Sequence, residues 1–99
     1  MPKLVRDRIP ELFPENRDRT LSEAEYADAL RAKLGEEVCK YLPDRTPEEL
    51  ADVLEVLHAL AALHGLTPDD LEILRARKAA ERAGLAGRVW LEDDKTNAR

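Results

Sequence analysis

Glu49 and Asp52 stand three residues apart in the stretch TPEELADVLEVLHALAALH, residues 46–64. On a helix that spacing makes the two carboxylates neighbours on one face. The rest of the stretch is apolar on almost every side: Leu50, Ala51, Val53, Leu54, Val56, Leu57, Leu60, Ala61 and Leu63. A helix apolar all round is normally buried. Burying an unpaired carboxylate is expensive, so such acids must be paired, solvated or holding a cation. Glu55 lies in the same run, and Glu36-Glu37 form an acidic pair upstream. Carboxylate clusters facing each other across a helix pair repel unless a cation sits between them. Hard oxygen ligands of this kind suit Mg2+ or Mn2+. The competing account is an acid-rich helix start with surface salt bridges. It explains Glu48 and Glu49 well and Asp52, inside the apolar run, less well.

Three long helices are expected to position these groups. In the central one, Thr46 is the N-cap, Pro47 takes the first position, Glu49 closes a capping box and Gly65 is the stop signal. The helix before it runs from Ser22 to Tyr41, with Ser22 and Glu25 as a capping box and Leu21 stapling against Tyr26. Its core face is read from Tyr26, Leu30, Leu34, Val38 and Tyr41 or Leu42, with Glu37 at the edge. The short link Leu42-Pro43-Asp44-Arg45 makes these two helices antiparallel neighbours. The third spans Thr67 to Ala83, capped by Thr67 and Pro68, with Asp69 and Asp70 favouring its N-terminus. Leu71, Ile73, Leu74 and Ala80 mark its core stripe. A short helix from Asp7, with Pro10 in its first turn, lies within an N-terminal arm, residues 1–20. Arg88 to Leu91 is expected to be extended and to pair with Leu4-Val5 as a tiny β-bridge, and residues 92–99 read as a flexible tail. The fold class is therefore all-α, three to four helices in a single domain over residues 1–99.

Composition narrows the function classes. The chain has 99 residues, 37% charged and 4% aromatic, with a net charge of −5. An acidic chain without a basic face argues against a nucleic-acid polymer as partner. A single cysteine, Cys39, precludes an internal disulfide and fits a reducing cytoplasm. No signal peptide is visible at MPKLVRDRIP, and the longest apolar run, Val56 to Leu63, is too short to span a membrane. A central helix apolar all round leaves more surface than one small subunit can cover, so a homodimer is expected.

Other residues carry two readings each. Lys3, Arg6 and Arg8 either belong to a solvated arm or reach an anionic ligand. Lys40 either pairs with Glu36 one turn away or binds phosphate itself. His58 and His64 are six apart, do not share a helix face well and read as structural, and Cys39 reads as a bystander. Trp90 reads as a packing anchor rather than a base-stacking platform.

Four segments taken in order carry a family resemblance: KLVRDRIPEL, LRAKLGEEVCKYL, EELADVLEVLHAL and RKAAERAGLAGRVWLE. Together they resemble the MazG-like members of the all-α nucleoside triphosphate pyrophosphohydrolase superfamily, in particular its phosphoribosyl-ATP pyrophosphohydrolase-like members. That family carries paired EExxE and ExxD motifs on adjacent helices that bind divalent metal. The resemblance implies a MazG-like bundle completed by dimerisation. It implies Glu37, Glu49 and Asp52 as catalytic metal ligands, with Glu36 and Glu55 as substitutes and Mg2+ or Mn2+ as cofactor. It also implies Lys78 and Arg82 as phosphate contacts, beside Lys3 and Arg6 from the arm. The expected reaction is metal-assisted hydrolysis of the α–β phosphoanhydride of a nucleoside triphosphate or related nucleotide, releasing pyrophosphate. Two departures stand out. The last glutamate of the first motif is Lys40, an ammonium that cannot ligate a cation and repels it. A basic-Gly-Gly-aromatic turn is replaced by Arg82-Ala83-Gly84-Leu85. The alternative is therefore a catalytically impaired relative that binds nucleotide or serves as a dimeric interaction protein.

Overall fold

The computed structural model describes residues 2–93, and they form four helices and no strand. These are α1 (Ile9–Leu12), α2 (Glu23–Asp44), α3 (Pro47–Leu63) and α4 (Pro68–Arg82). The all-α class is thus shown. The β-bridge expected between Leu4-Val5 and Arg88–Leu91 does not form among the described residues. The expected tail, residues 92–99, lies outside the described residues from 94 onward.

Local chemistry accounts for most helix boundaries. At α2, Ser22 Oγ accepts from the Glu25 amide at 3.3 Å, and Glu25 Oε1 accepts from the Ser22 amide at 3.0 Å. Arg19 adds a bridge to the same carboxylate at 3.2 Å. The arginine hydrogen bond, helped by the Ser22 amide, holds the Glu25 carboxyl down to about 2. At α4, Thr67 and Asp70 make the same reciprocal capping box, at 3.1 and 2.9 Å. The cap at α3 differs from expectation. Thr46 Oγ makes no bond to the backbone and donates instead to the Glu49 carboxylate, so Thr46 and Glu49 are partnered without a capping box.

The first long helix also overruns its expected end. Pro43 sits inside its last turn, and Arg45, in the left-handed region at φ 57°, closes it by donating its amide to the Tyr41 carbonyl at 2.7 Å. Proline's missing N–H removes only one bond there. The link to α3 shrinks to Arg45-Thr46, which folds the two helices back on each other. α4 in turn packs on α3 alone.

The departure at the end of α4 has a conformational consequence. Ala83 sits at φ 62°, ψ −170°, a region essentially reserved for glycine. We expect Ala83→Gly to raise the thermal midpoint, relieving a strain of about 1–3 kcal/mol less the entropy a glycine adds to the unfolded chain. Calorimetry of the two proteins checks this, and an unchanged or lowered midpoint would contradict it.

The apolar surface is only partly covered within one chain. Leu30, Val56 and Ala61 are the buried apolar residues. The accessible surface is 9056 Å2, against about 5,700 Å2 for a compact monomer of this mass. The radius of gyration is 17.0 Å, against about 13 Å for a domain of this length. The central helix, expected to be covered on all sides, leaves Leu50, Leu54, Leu57 and Leu63 exposed. On α4, Ile73, Leu74 and Ala80 are exposed and only Leu71 of the expected stripe is half-buried. Trp90 is 82% exposed, so it is not packed as an anchor among the described residues. The buried face of α2 follows the sequence reading at Tyr26, Leu30, Leu34 and Tyr41, but Val38 at its margin is 38% exposed, whereas Glu37, expected at the edge, is 4% exposed.

Candidate carboxylate cleft

The burial of Glu37 decides the site. Glu37 turns toward α3, and the N-terminal arm lies over the junction. The result is a cleft of about 650 Å3 whose polar lining includes Lys3, Arg6, Lys33, Glu37, Asp52 and Glu55. Leu4, Val5, Ile9, Tyr26, Leu30 and Val56 supply its apolar walls.

Of the four acids that line the cleft, Glu37, Asp52 and Glu55 are each met by a cation, and Asp7 makes no ion pair among the described residues. Arg6 Nη2 donates to Asp52 Oδ1 at 2.7 Å, and Arg6 Nη1 lies 4.0 Å from Glu55 Oε1. The hydrogen bond to Asp52 raises the Arg6 pKa above its usual value, burial opposing it slightly. Arg6 and Asp52 remain about half exposed, so the pair is worth about 0–1 kcal/mol. Across the cleft, Lys33 and Lys40 each straddle the acidic pair of α2. Lys33 Nζ is 3.1 Å from Glu37 Oε1 and 3.4 Å from Glu36 Oε1. Lys40 Nζ is 3.5 Å from Glu37 Oε1 and 3.4 Å from Glu36 Oε1. The charge of Glu37, then the hydrogen bond to Glu36, raises the Lys40 pKa. Partial burial pushes the Glu36 carboxyl up, but the two ammoniums outweigh it and the net shift is downward.

One atom stays outside this network. Glu37 Oε2 is buried and has no hydrogen-bond partner among the described residues. Buried polar atoms are nearly always satisfied, so an orphaned carboxylate oxygen marks a place for a water or a cation.

The expected site residues therefore divide. Glu37, Asp52 and Glu55 share the cleft, as do Lys3 and Arg6. Glu49 does not line it; its carboxylate is taken by Thr46. Glu36 faces a smaller neighbouring cavity of about 190 Å3, with Lys3 and Lys33. Lys78 and Arg82 sit exposed on α4 and do not line the cleft. Among the described residues no three His, Cys, Asp or Glu side chains converge closely enough to hold a metal ion. The ExxD spacing placed Glu49 and Asp52 on one helix face, but α3 is turned so that Asp52 and Glu55, also three apart, meet the cleft instead.

Lys33 and Asp7 are the charged cleft residues the sequence reading missed, and Lys33 is the one with a local signal. Its spacing, four before Glu37 and three before Glu36, is the signal that pairs it with both. The pairing of Lys40 with Glu36, one of the two readings of that residue, is present. No family model, curated protein or solved structure matches the chain.

Proposed function

We propose that this cleft binds the polyphosphate of a nucleotide together with Mg2+ or Mn2+ and hydrolyses its α–β phosphoanhydride, releasing pyrophosphate. The observation that carries the reading is the buried, unpartnered Glu37 Oε2 in a cleft shared with Asp52 and Glu55. Glu37 and Asp52 are the residues to hold the cation. Bound there, it would polarise phosphate oxygens and lower the pKa of a water. Lys3, Arg6 and Lys33 supply positive charge against the phosphates, where charge grows as the bridging bond breaks. Glu55 meets Arg6 only at 4.0 Å and suits orientation or deprotonation of the attacking water. The four-segment resemblance to the MazG-like family supports the same reaction. A second copy of the chain is proposed as the partner, covering the exposed leucines of α3.

A specific contact favours a second reading, binding without turnover. The Lys40 ammonium occupies the turn where the related motif has an acid, within 3.5 Å of Glu37. One experiment separates the two. Pyrophosphate release is measured over a panel of nucleoside triphosphates with Mg2+, for the natural chain and for Lys40→Glu. Turnover by the natural chain, rising in Lys40→Glu together with Mn2+ affinity, is the expected result. Nucleotide binding with no turnover in either protein would leave the binding reading in place of the hydrolase.

A further inference from the structure

The chain holds one Phe, two Tyr and one Trp, and two of these four aromatic residues, Phe13 and Tyr26, line the cleft. In so aromatic-poor a chain, that share concentrates flat apolar surface at one site. Tyr26, Leu30, Lys33 and Glu37 follow one another at three- and four-residue steps along one face of α2. The N-terminal half of that face is therefore apolar and the C-terminal half charged. α3 folds back along α2, with Asp52 and Glu55 nearer the link and Ala59 farther from it. Ile9 and Phe13 add apolar wall from the arm. Phe13 is 49% exposed, which leaves apolar area for a ligand to cover. Tyr26 and Lys33 are seven positions, or about 10 Å, apart along α2. A ribose is the spacer that a nucleotide places between its base and its first phosphate.

We propose that the apolar part of the cleft takes the base of the bound nucleotide on the rings of Tyr26 and Phe13, purine in preference to pyrimidine and with little distinction between adenine and guanine. The inference rests on the cleft taking a nucleotide, as proposed above, and needs no metal ion. Of the side chains Ile9, Phe13, Tyr26, Leu30, Val56 and Ala59, only Tyr26 carries a hydrogen-bonding group. Such a surface holds a base by its π face, which every base has, and rejects exocyclic groups weakly. A purine covers more apolar area than a pyrimidine and so binds tighter.

Metal-free adenosine, guanosine and uridine are the ring probes, and inorganic tripolyphosphate probes the charged half. Saturation-transfer NMR reads which ligand protons touch the protein, and a titration gives the affinity. The natural chain is compared with Phe13→Ser, Tyr26→Leu and Trp90→Ser. Phe13 lies outside the helices, Tyr26→Leu keeps an apolar side chain on the core face, and helical circular dichroism verifies the fold of each variant. Trp90 is an exposed aromatic that does not line the cleft. Adenosine and guanosine should bind alike and tighter than uridine, with base protons saturated more than ribose protons. Phe13→Ser and Tyr26→Leu should each weaken adenosine at least about 5-fold and leave tripolyphosphate unchanged. Trp90→Ser should change neither. Adenosine binding lost equally in Trp90→Ser would overturn the proposal, reducing it to stacking on any exposed ring. Tripolyphosphate binding without nucleoside binding would overturn the base subsite and leave the phosphate end standing. Binding of neither probe at millimolar concentration would overturn the base subsite and the nucleotide reading together.

Discussion

Leu54→Lys is expected to convert the proposed dimer into single subunits. Leu50, Leu54 and Leu57 recur at i, i+4 and i+7 on α3, the register of one continuous face. All three are exposed within one chain, Leu54 at 48%. Val38 and Leu42, four apart on α2, are exposed as well. These exposed side chains are the apolar surface that a two-fold interface would cover. Burying one leucine side chain contributes about 1.5–3 kcal/mol. In a two-fold interface the residue counts once on each side, so about 3–6 kcal/mol is at stake. That corresponds to a rise in the dimer dissociation constant of about 10^2 to 10^4. Sedimentation equilibrium at micromolar protein distinguishes the two forms, with helical circular dichroism showing that the variant is still folded. A natural chain that sediments at 11.2 kDa at every concentration would remove the second copy from the proposal.

Glu37→Gln has the second large expected effect, and it acts on two observables at once. Gln keeps the shape of the side chain but removes its charge and turns one oxygen into a donor. Lys33, only 15% exposed, is left with Glu36 as its acidic partner. Losing one charged partner at a nearly buried position costs about 1–3 kcal/mol. A proposed cation ligand should also matter more than the groups behind it, whose loss typically costs 10- to 100-fold. Turnover and Mn2+ affinity should therefore fall by about 100-fold or more. Glu36→Gln is the comparison, because Glu36 faces the smaller cavity and shares the same lysines. Stability should fall in both variants, whereas the loss of turnover should be confined to Glu37→Gln. Turnover of Glu37→Gln at the natural rate would exclude Glu37 from the chemistry, whatever happens to stability.

The cleft explains why some of its residues were legible in the sequence and others were not. Glu37 and Asp52 stand out as acids inside helices with apolar faces, a pattern visible from local spacing. Lys33 sits in the same local pattern and was readable by the same rule. Glu49 misleads because helix spacing says which residues share a face but not which face is turned inward. That rotation is set by packing between α2 and α3, where Val38 is left outside and Glu37 is buried. Arg6 was legible as a cation suited to an anion, yet its acidic partner lies 46 residues away and no local rule selects it. Trp90 and the stripe on α4 misled for a related reason: apolar side chains report that something covers them, not that the same chain does.

The sequence alone determined the all-α class, the three long helices and most of their ends, because capping boxes, prolines at first turns and the Gly65 stop act within a few residues. It also determined that acids would lie within an otherwise apolar helix pair. Only the tertiary structure decided which of those acids share a cleft and which cation meets each one. Those outcomes depend on how two helices turn against each other and on where a long arm crosses them. Neither is encoded in spacing, since a residue's neighbours along the chain say nothing about a guanidinium delivered from the far end of it.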